Sequence, residues 1–405
     1  MKRQNTFFTV FFLYLNYLVH GMAIVILAQN MLPLRLQLGA SIAQISYIIS
    51  SLGIGRLLVL YISGWLSDCY GRKPFIIIGI LTYIPFFIGI LLSKNIFEAY
   101  ICGILAGMAN SFLDAGTYPA LMEFFPKSQA TVNILIKAFA SIGELILPLL
   151  VTFLELHFLW YGWSFILCAI ILTLNLFVIL TRKFPSIPMK RRITITKDSR
   201  KKLHIDIPHI AAGILLTIYG YISMSTFYLI SQWLTDYGMN VANLSMIHAR
   251  SLVSIYSIGS IVGVLINTLL VSFLLKESFL MIFHTSLSFL TLLLISMIPE
   301  PSILFIGSFV IGFSAAGGVM QLGLTLMCNL FPAHKGLVTG IYYTASGLAS
   351  FSIPLITGLI SQTNIHNILW LDVFIAIIGL ICSLLITIID KIIFKQKNTR
   401  NLIKR

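Results

Sequence analysis

The sequence predicts an all-α membrane protein: twelve transmembrane helices in two six-helix pseudo-repeats. Three observations carry this. First, 58% of the 405 residues are apolar and 10% are charged, with a mean hydropathy of +0.96. A soluble domain is about 25% charged, and one hydrophobic core does not grow to this length. At about 20 apolar residues per span plus short turns, the chain holds roughly twelve helices. Second, the basic residues are sorted. Of 27 Lys and Arg, 22 fall at the two termini and in the turns after even-numbered helices, two (Arg35 and Lys94) fall on the other side, and three lie inside helices. The positive-inside rule puts both termini in the cytoplasm. Third, segment 182–205 carries nine Lys and Arg and separates six helices from six. The expected division is an N-terminal bundle over 1–181, a cytoplasmic linker over 182–205 and a C-terminal bundle with a short basic tail over 206–405.

These features exclude most enzymes, which need a water-facing domain. They also assign the formal net charge of +14 to topology rather than to nucleic acid. The five cysteines show no metal or disulfide spacing.

The elements follow in order, with bounds of about the stated residues. Helix 1 (7–31) follows Lys2-Arg3; it is too long for a signal peptide, contains Asn16 and His20, and lacks a small-residue cleavage site. Helix 2 (41–66) holds Gly53 and Arg56. Helix 3 (74–92) follows Gly71-Arg72-Lys73-Pro74. Helix 4 (96–122) carries Gly103-x-x-x-Gly107 and Asp114. Helix 5 (130–155) carries Asn133, Lys137 and Glu144, and helix 6 spans 159–181. Helix 7 (207–234) carries Tyr221, Ser225, Tyr228 and Gln232. Helix 8 (243–272) carries Arg250 and Gly259-x-x-x-Gly263. Helices 9 (278–298), 10 (301–328), 11 (335–361) and 12 (366–389) complete the set. The two Gly-x-x-x-Gly runs are read as packing faces.

Shifting the chain by 206 residues superposes Phe125-Pro126 on Phe331-Pro332, Pro148-Leu149 on Pro354-Leu355, and Gly53 on Gly259. One ungapped offset joins three places, which points to a duplicated six-helix unit. Two parallel repeats place a binding site near the bilayer midplane, between the halves.

Ionisable groups inside the membrane are costly and mark function by default. Here they are His20, Arg56, Asp114, Lys137, Glu144 and Arg250, with His248 and His284 nearer helix ends. Arg56, Asp114 and Lys137 lie roughly 12–18 Å from the cytoplasmic surface at 1.5 Å per residue. Either Arg56 and Lys137 share Asp114, or Lys137 reaches Glu144 along its own helix. The stripe Asn133, Lys137, Glu144 maps by the repeat offset onto Thr339, Tyr343, Ser350, so both stripes are expected to face the central cavity. The candidate substrate and proton sites are Asn16, His20, Arg56, Asp114, Asn133, Lys137, Glu144, Tyr228, Gln232 and Tyr343. Glu144, then Asp114, is the favoured proton carrier; His20 also titrates near neutrality in its ordinary state. The cations point to an anionic substrate, with Lys137 its first contact; Arg250 either joins it or snorkels.

Residues 64–74 place a glycine, an Asp four on, and Gly-Arg-Lys three further. This resembles the signature loop of the major facilitator superfamily. The resemblance implies a cytoplasmic gate built from Gly64, Asp68, Gly71, Arg72 and Lys73. Gly64 would admit a neighbouring helix. Asp68 would sit at the N-terminus of helix 11, near His334-Lys335-Gly336, and Arg72 and Lys73 would pair with Asp68 or with lipid phosphate. The runs Tyr17 to Met22, Gly107 to Glu123, Ile134 to Phe139 and Gly317 to Gln321 are similar to a narrower group, the bacterial inner-membrane transport proteins of the YdiM/YdiN type. That resemblance covers essentially the whole chain. It implies a proton-driven transporter in the bacterial inner membrane, without a cofactor other than the proton gradient. Its partners would be a small molecule, protons and lipid, and the chain would act as a monomer. Uptake of a shikimate-, quinate- or aromatic-acid-like carboxylate by proton symport is expected. Efflux by proton antiport is the alternative; helix 4 lacks the Arg, and helix 5 the Gly-Pro pair, that drug antiporters carry.

Overall fold

The computed structural model describes residues 2–125, 129–184, 207–272, 276–331 and 335–403, and every element there is helical. Twelve helices are long and apolar enough to cross a membrane. They are α1 (Lys2–Gln29), α2 (Ile42–Tyr70), α3 (Arg72–Leu92), α4 (Ile96–Phe124), α5 (Gln129–Leu156), α6 (Trp163–Thr181), α7 (Ile207–Asn240), α8 (Met246–Ser272), α9 (Glu277–Met297), α10 (Pro301–Leu330), α11 (Lys335–Ser361) and α12 (His366–Ile403).

Helix ends are set by local chemistry. Ser41 and Gln44 form a reciprocal capping box at the start of α2, at 3.2 and 2.8 Å. Asn95 caps α4 by accepting from the Glu98 amide at 2.9 Å. Gly71, at φ +98°, makes the tight turn from α2 to α3.

Three features depart from the sequence reading. A two-turn helix, Met31–Leu38, fills the first connection and ends on Gly39 at φ +59°. The basic tail is not a separate segment: α12 runs on to Ile403, because Lys and Arg are good helix formers and favourable at a C-terminus. In α10 a π-helical turn, Gly312–Ala316, interrupts the span. The expected linker lies outside the described residues from position 185 onward.

Large apolar side chains such as Leu92, Leu174, Phe177 and Phe374 face outward, as lipid-solvated helices require. Inside, glycines let backbones touch. A methyl group on Gly107 would overlap the Leu52 carbonyl, and one on Gly55 the Ile104 carbonyl, so α2 and α4 are in van der Waals contact. In the second half Gly259 and Gly312 do the same for α8 and α10, against Phe309 and Tyr256. The repeat offset therefore slips locally. Gly53, which it aligns with Gly259, instead meets the backbone of Phe351 on α11; Gly55 holds the equivalent role.

The two halves meet along α2 with α11, α5 with α8, and α1 with α7. Their polar contacts cluster toward the end of the bundle opposite the chain termini. Gln29 donates to Thr235 at 3.0 Å, Gln232 to the Ile24 carbonyl at 2.8 Å, and Ser254 to the Leu145 carbonyl at 3.2 Å. Ser141 and Ser260 share a hydrogen bond at 3.2 Å, and Arg250 pairs with Glu155. On the terminal side of this seam, Tyr61 and Trp65 of α2 are exposed.

Candidate functional site

Close packing of α2 on α4 brings Arg56 to Asp114. The guanidinium and carboxylate are 3.3 Å apart, and the Tyr17 hydroxyl of α1 donates to the other Asp114 oxygen at 2.7 Å. Ser111 of α4 donates to the Arg56 carbonyl at 3.1 Å and fixes the register of the two helices. Beside the pair is a small cavity, lined by His20 and Ile24 of α1, Arg56 of α2, Tyr83 of α3, Asn110 of α4 and Tyr228 of α7, among others. His20 meets the Tyr83 hydroxyl at 2.6 Å. The cavity thus takes side chains from both halves.

Lys137 and Glu144 form the second pair, at 3.4 Å along α5. Of the two alternatives for Lys137, this is the observed one. Glu144 is fully buried, and its Oε2 has no hydrogen-bond partner. The Lys137 side chain is 19% exposed. Its ammonium lies 4.7 Å from the centroid of the Phe227 ring on α7, a cation–π contact between the halves.

The other candidates divide. Tyr228 lines the cavity. Tyr343 of α11 lies within electrostatic reach of Asp114 and Arg56. Gln232 is spent in the seam on Ile24. Asn16 faces α6, where Asn175 donates to it at 2.6 Å, so it belongs to packing within the first half and not to the cavity. The Asn133 side chain lies outside the described residues. Of the mapped stripe on α11, Ser350 is buried beside Tyr228 and donates to the Gly347 carbonyl, while Thr339 contacts Cys328. Arg250 neither snorkels nor joins the cavity; it holds Glu155 across the seam.

In the gate motif, Arg72 is buried and reaches Glu123 of α4 at 3.0 Å and Ser67 at 3.1 Å. Lys73 caps α6 by donating to the Leu180 and Arg182 carbonyls at 2.7 and 2.8 Å. No atom lies within 4 Å of a methyl group placed on Gly64, so no helix approaches it here. The side chain of Asp68, and His334 opposite, lie outside the described residues.

Sequence reasoning passed over two acids. Asp236 falls beyond the predicted end of helix 7, yet it is 8% exposed inside a longer α7. Asp372 lies six residues into helix 12, where interfacial water is expected, yet it is fully buried and accepts from Thr226 of α7 at 2.7 Å. For Asp372 the signal available was the apolar run Ile368 to Leu371 before it; before Asp236 the run is broken by Gln232 and Thr235.

Comparison with known proteins settles the family. The sequence matches the Major Facilitator Superfamily over residues 6–294 and 210–400. It is 47% identical over 385 residues to the inner membrane transport protein YdiM of Escherichia coli K12, covering 95% of each chain. The chain belongs to the Major Facilitator Superfamily. It is also 37% identical to YdiN of the same organism, over 96% of this chain and 93% of that one. An uncharacterized MFS-type transporter of Bacillus subtilis, YfkL, is 39% identical over 91% and 92%. The crystal structure of a D-xylose-proton symporter superposes with a TM-score of 0.78 at 13% identity, over 94% of this chain and 97% of that one, which shows the shared fold. The protein is a twelve-span secondary transporter of the superfamily, with inner-membrane transport proteins as relatives.

Proposed function

We propose that this transporter moves a small organic acid together with a proton by alternating access, as a monomer whose termini face the cytoplasm. The proton gradient is the energy source. The observation that carries the reading is the Lys137–Glu144 pair. It sits where α5 meets α7, with one partner partly exposed and the other closed off. A carboxylate entering between the halves, where Lys137 faces Phe227 of α7, competes with Glu144 for the Lys137 ammonium. Once displaced, Glu144 is an uncompensated buried charge, which costs several kcal/mol, and taking a proton removes that cost. Anion binding and proton binding are thereby coupled at one lysine. The 22-to-2 sorting of basic residues supports the orientation. On that orientation the sealed seam lies outward and the cavity belongs to an inward-open state.

The test is a thermal-shift screen of the detergent-purified protein. Shikimate, quinate, benzoates, dicarboxylates, sugars, amino acids and lipophilic cations would each be tried at two pH values. A ligand at 100 times its Kd stabilises the folded state by about 2.7 kcal/mol. Stabilisation by a carboxylate, weakened about 10- to 100-fold in affinity by Lys137→Ala, supports acid symport. In proteoliposomes, accumulation of that acid should collapse with a protonophore and in Glu144→Gln. Stabilisation by lipophilic cations alone would overturn this reading in favour of efflux.

A further inference from the structure

Asp372 has an environment unlike that of any other buried acid described. It is fully buried in α12. Thr226 of α7 donates to its Oδ1 at 2.7 Å, and Oδ2 has no partner. No Lys, Arg or His pairs with it among the described residues. Glu144 of α5 is the other fully buried acid with an oxygen left over, and Tyr256 of α8 completes the set. That tyrosine is itself fully buried, with an unpartnered hydroxyl. Its backbone is pinned by Gly312, at the start of the π-helical turn, where a methyl group would overlap the Tyr256 carbonyl; such turns recur at functional sites. Three fully buried oxygens, on α5, α8 and α12, thus lack partners, and each such group asks for a reason.

We propose that Asp372 is a second proton-binding carboxyl, separate from Glu144. A lone buried carboxylate needs a cation, and the proton is one this set of oxygens carries without further ligands. The proton is taken up on the free Oδ2, while Oδ1 keeps its bond from Thr226. The assignment does not rest on the substrate class.

The experiment is infrared spectroscopy of the carboxyl C=O region, on ligand-free full-length protein in detergent, during a pH titration with and without sodium. Asp372→Asn and Glu144→Gln should each delete one pH-dependent component. Thr226→Ala keeps the acid and should move the Asp372 component, which guards against misfolding of Asp372→Asn. A titration of Asp372→Asn identical to that of the wild type would overturn the proposal. So would a component that follows sodium at fixed pH. If these components are present but no carboxylate stabilises the protein, the acid-substrate reading fails and this one stands.

Discussion

In α1–α6, Asp114 takes Arg56 at 3.3 Å and Glu144 takes Lys137 at 3.4 Å. In α7–α12, Asp372 takes a threonine hydroxyl at 2.7 Å. The backbones of the two halves follow one plan, down to glycines that press α2 on α4 and α8 on α10. The packing plan was kept in both halves, while the charges diverged. The first half holds charge by pairing it. The second spends its only described buried arginine on the seam, where Arg250 pairs with Glu155 of the first half.

The largest way to break this contrast is to remove one member of a first-half pair. Arg56→Leu should leave Asp114 with only Tyr17 and destabilise the protein by about 3–5 kcal/mol, read by thermal or denaturant unfolding in detergent. The double variant Arg56→Leu/Asp114→Leu should recover most of that loss. Next in size is overpacking at the shared glycine contacts. Gly55→Ala and Gly259→Ala should each cost about 1–3 kcal/mol, and similar costs would confirm that these two positions, not Gly53 and Gly259, are equivalent. Asp372→Asn sharpens the contrast from the other side. It retains a hydrogen-bonding side chain for Thr226 and breaks no ion pair, so it should cost about 1 kcal/mol or less in the same assay. The smallest effect is expected at the seam. Glu155 is half exposed, so a double-mutant cycle of Arg250→Ala with Glu155→Ala should give a coupling of about 0.2–1 kcal/mol, falling as salt is raised.

Much of this was legible in the sequence, because lipid imposes a coarse rule that hydropathy records directly. The twelve spans were readable. So were the glycine contacts within each half and the candidate partners of Lys137. What was not readable depends on helix rotation and tilt. Asn16 and His20 lie one turn apart on α1, yet Asn16 faces Asn175 while His20 faces Tyr83. Periodicity places both on one side without saying which neighbour occupies it. Arg250 was open to a lipid-facing reading because nothing in the sequence signals that Glu155 meets it. Asp372 was passed over because nothing in the sequence signals that Thr226 of α7 meets it. Gly64 was expected to admit a neighbouring helix, and in this structure it has open space.

The constant register of α2 against α11 has a consequence for how such chains vary over time. Two helices that touch at positions 46, 53 and 57 on one and 358, 351 and 347 on the other share a ruler. A residue gained or lost within either would rotate everything beyond it by about 100° and mismatch the opposite helix for the rest of its length. Length changes in this lineage should therefore collect in the connections and the tail, while α2 and α11 vary by substitution alone.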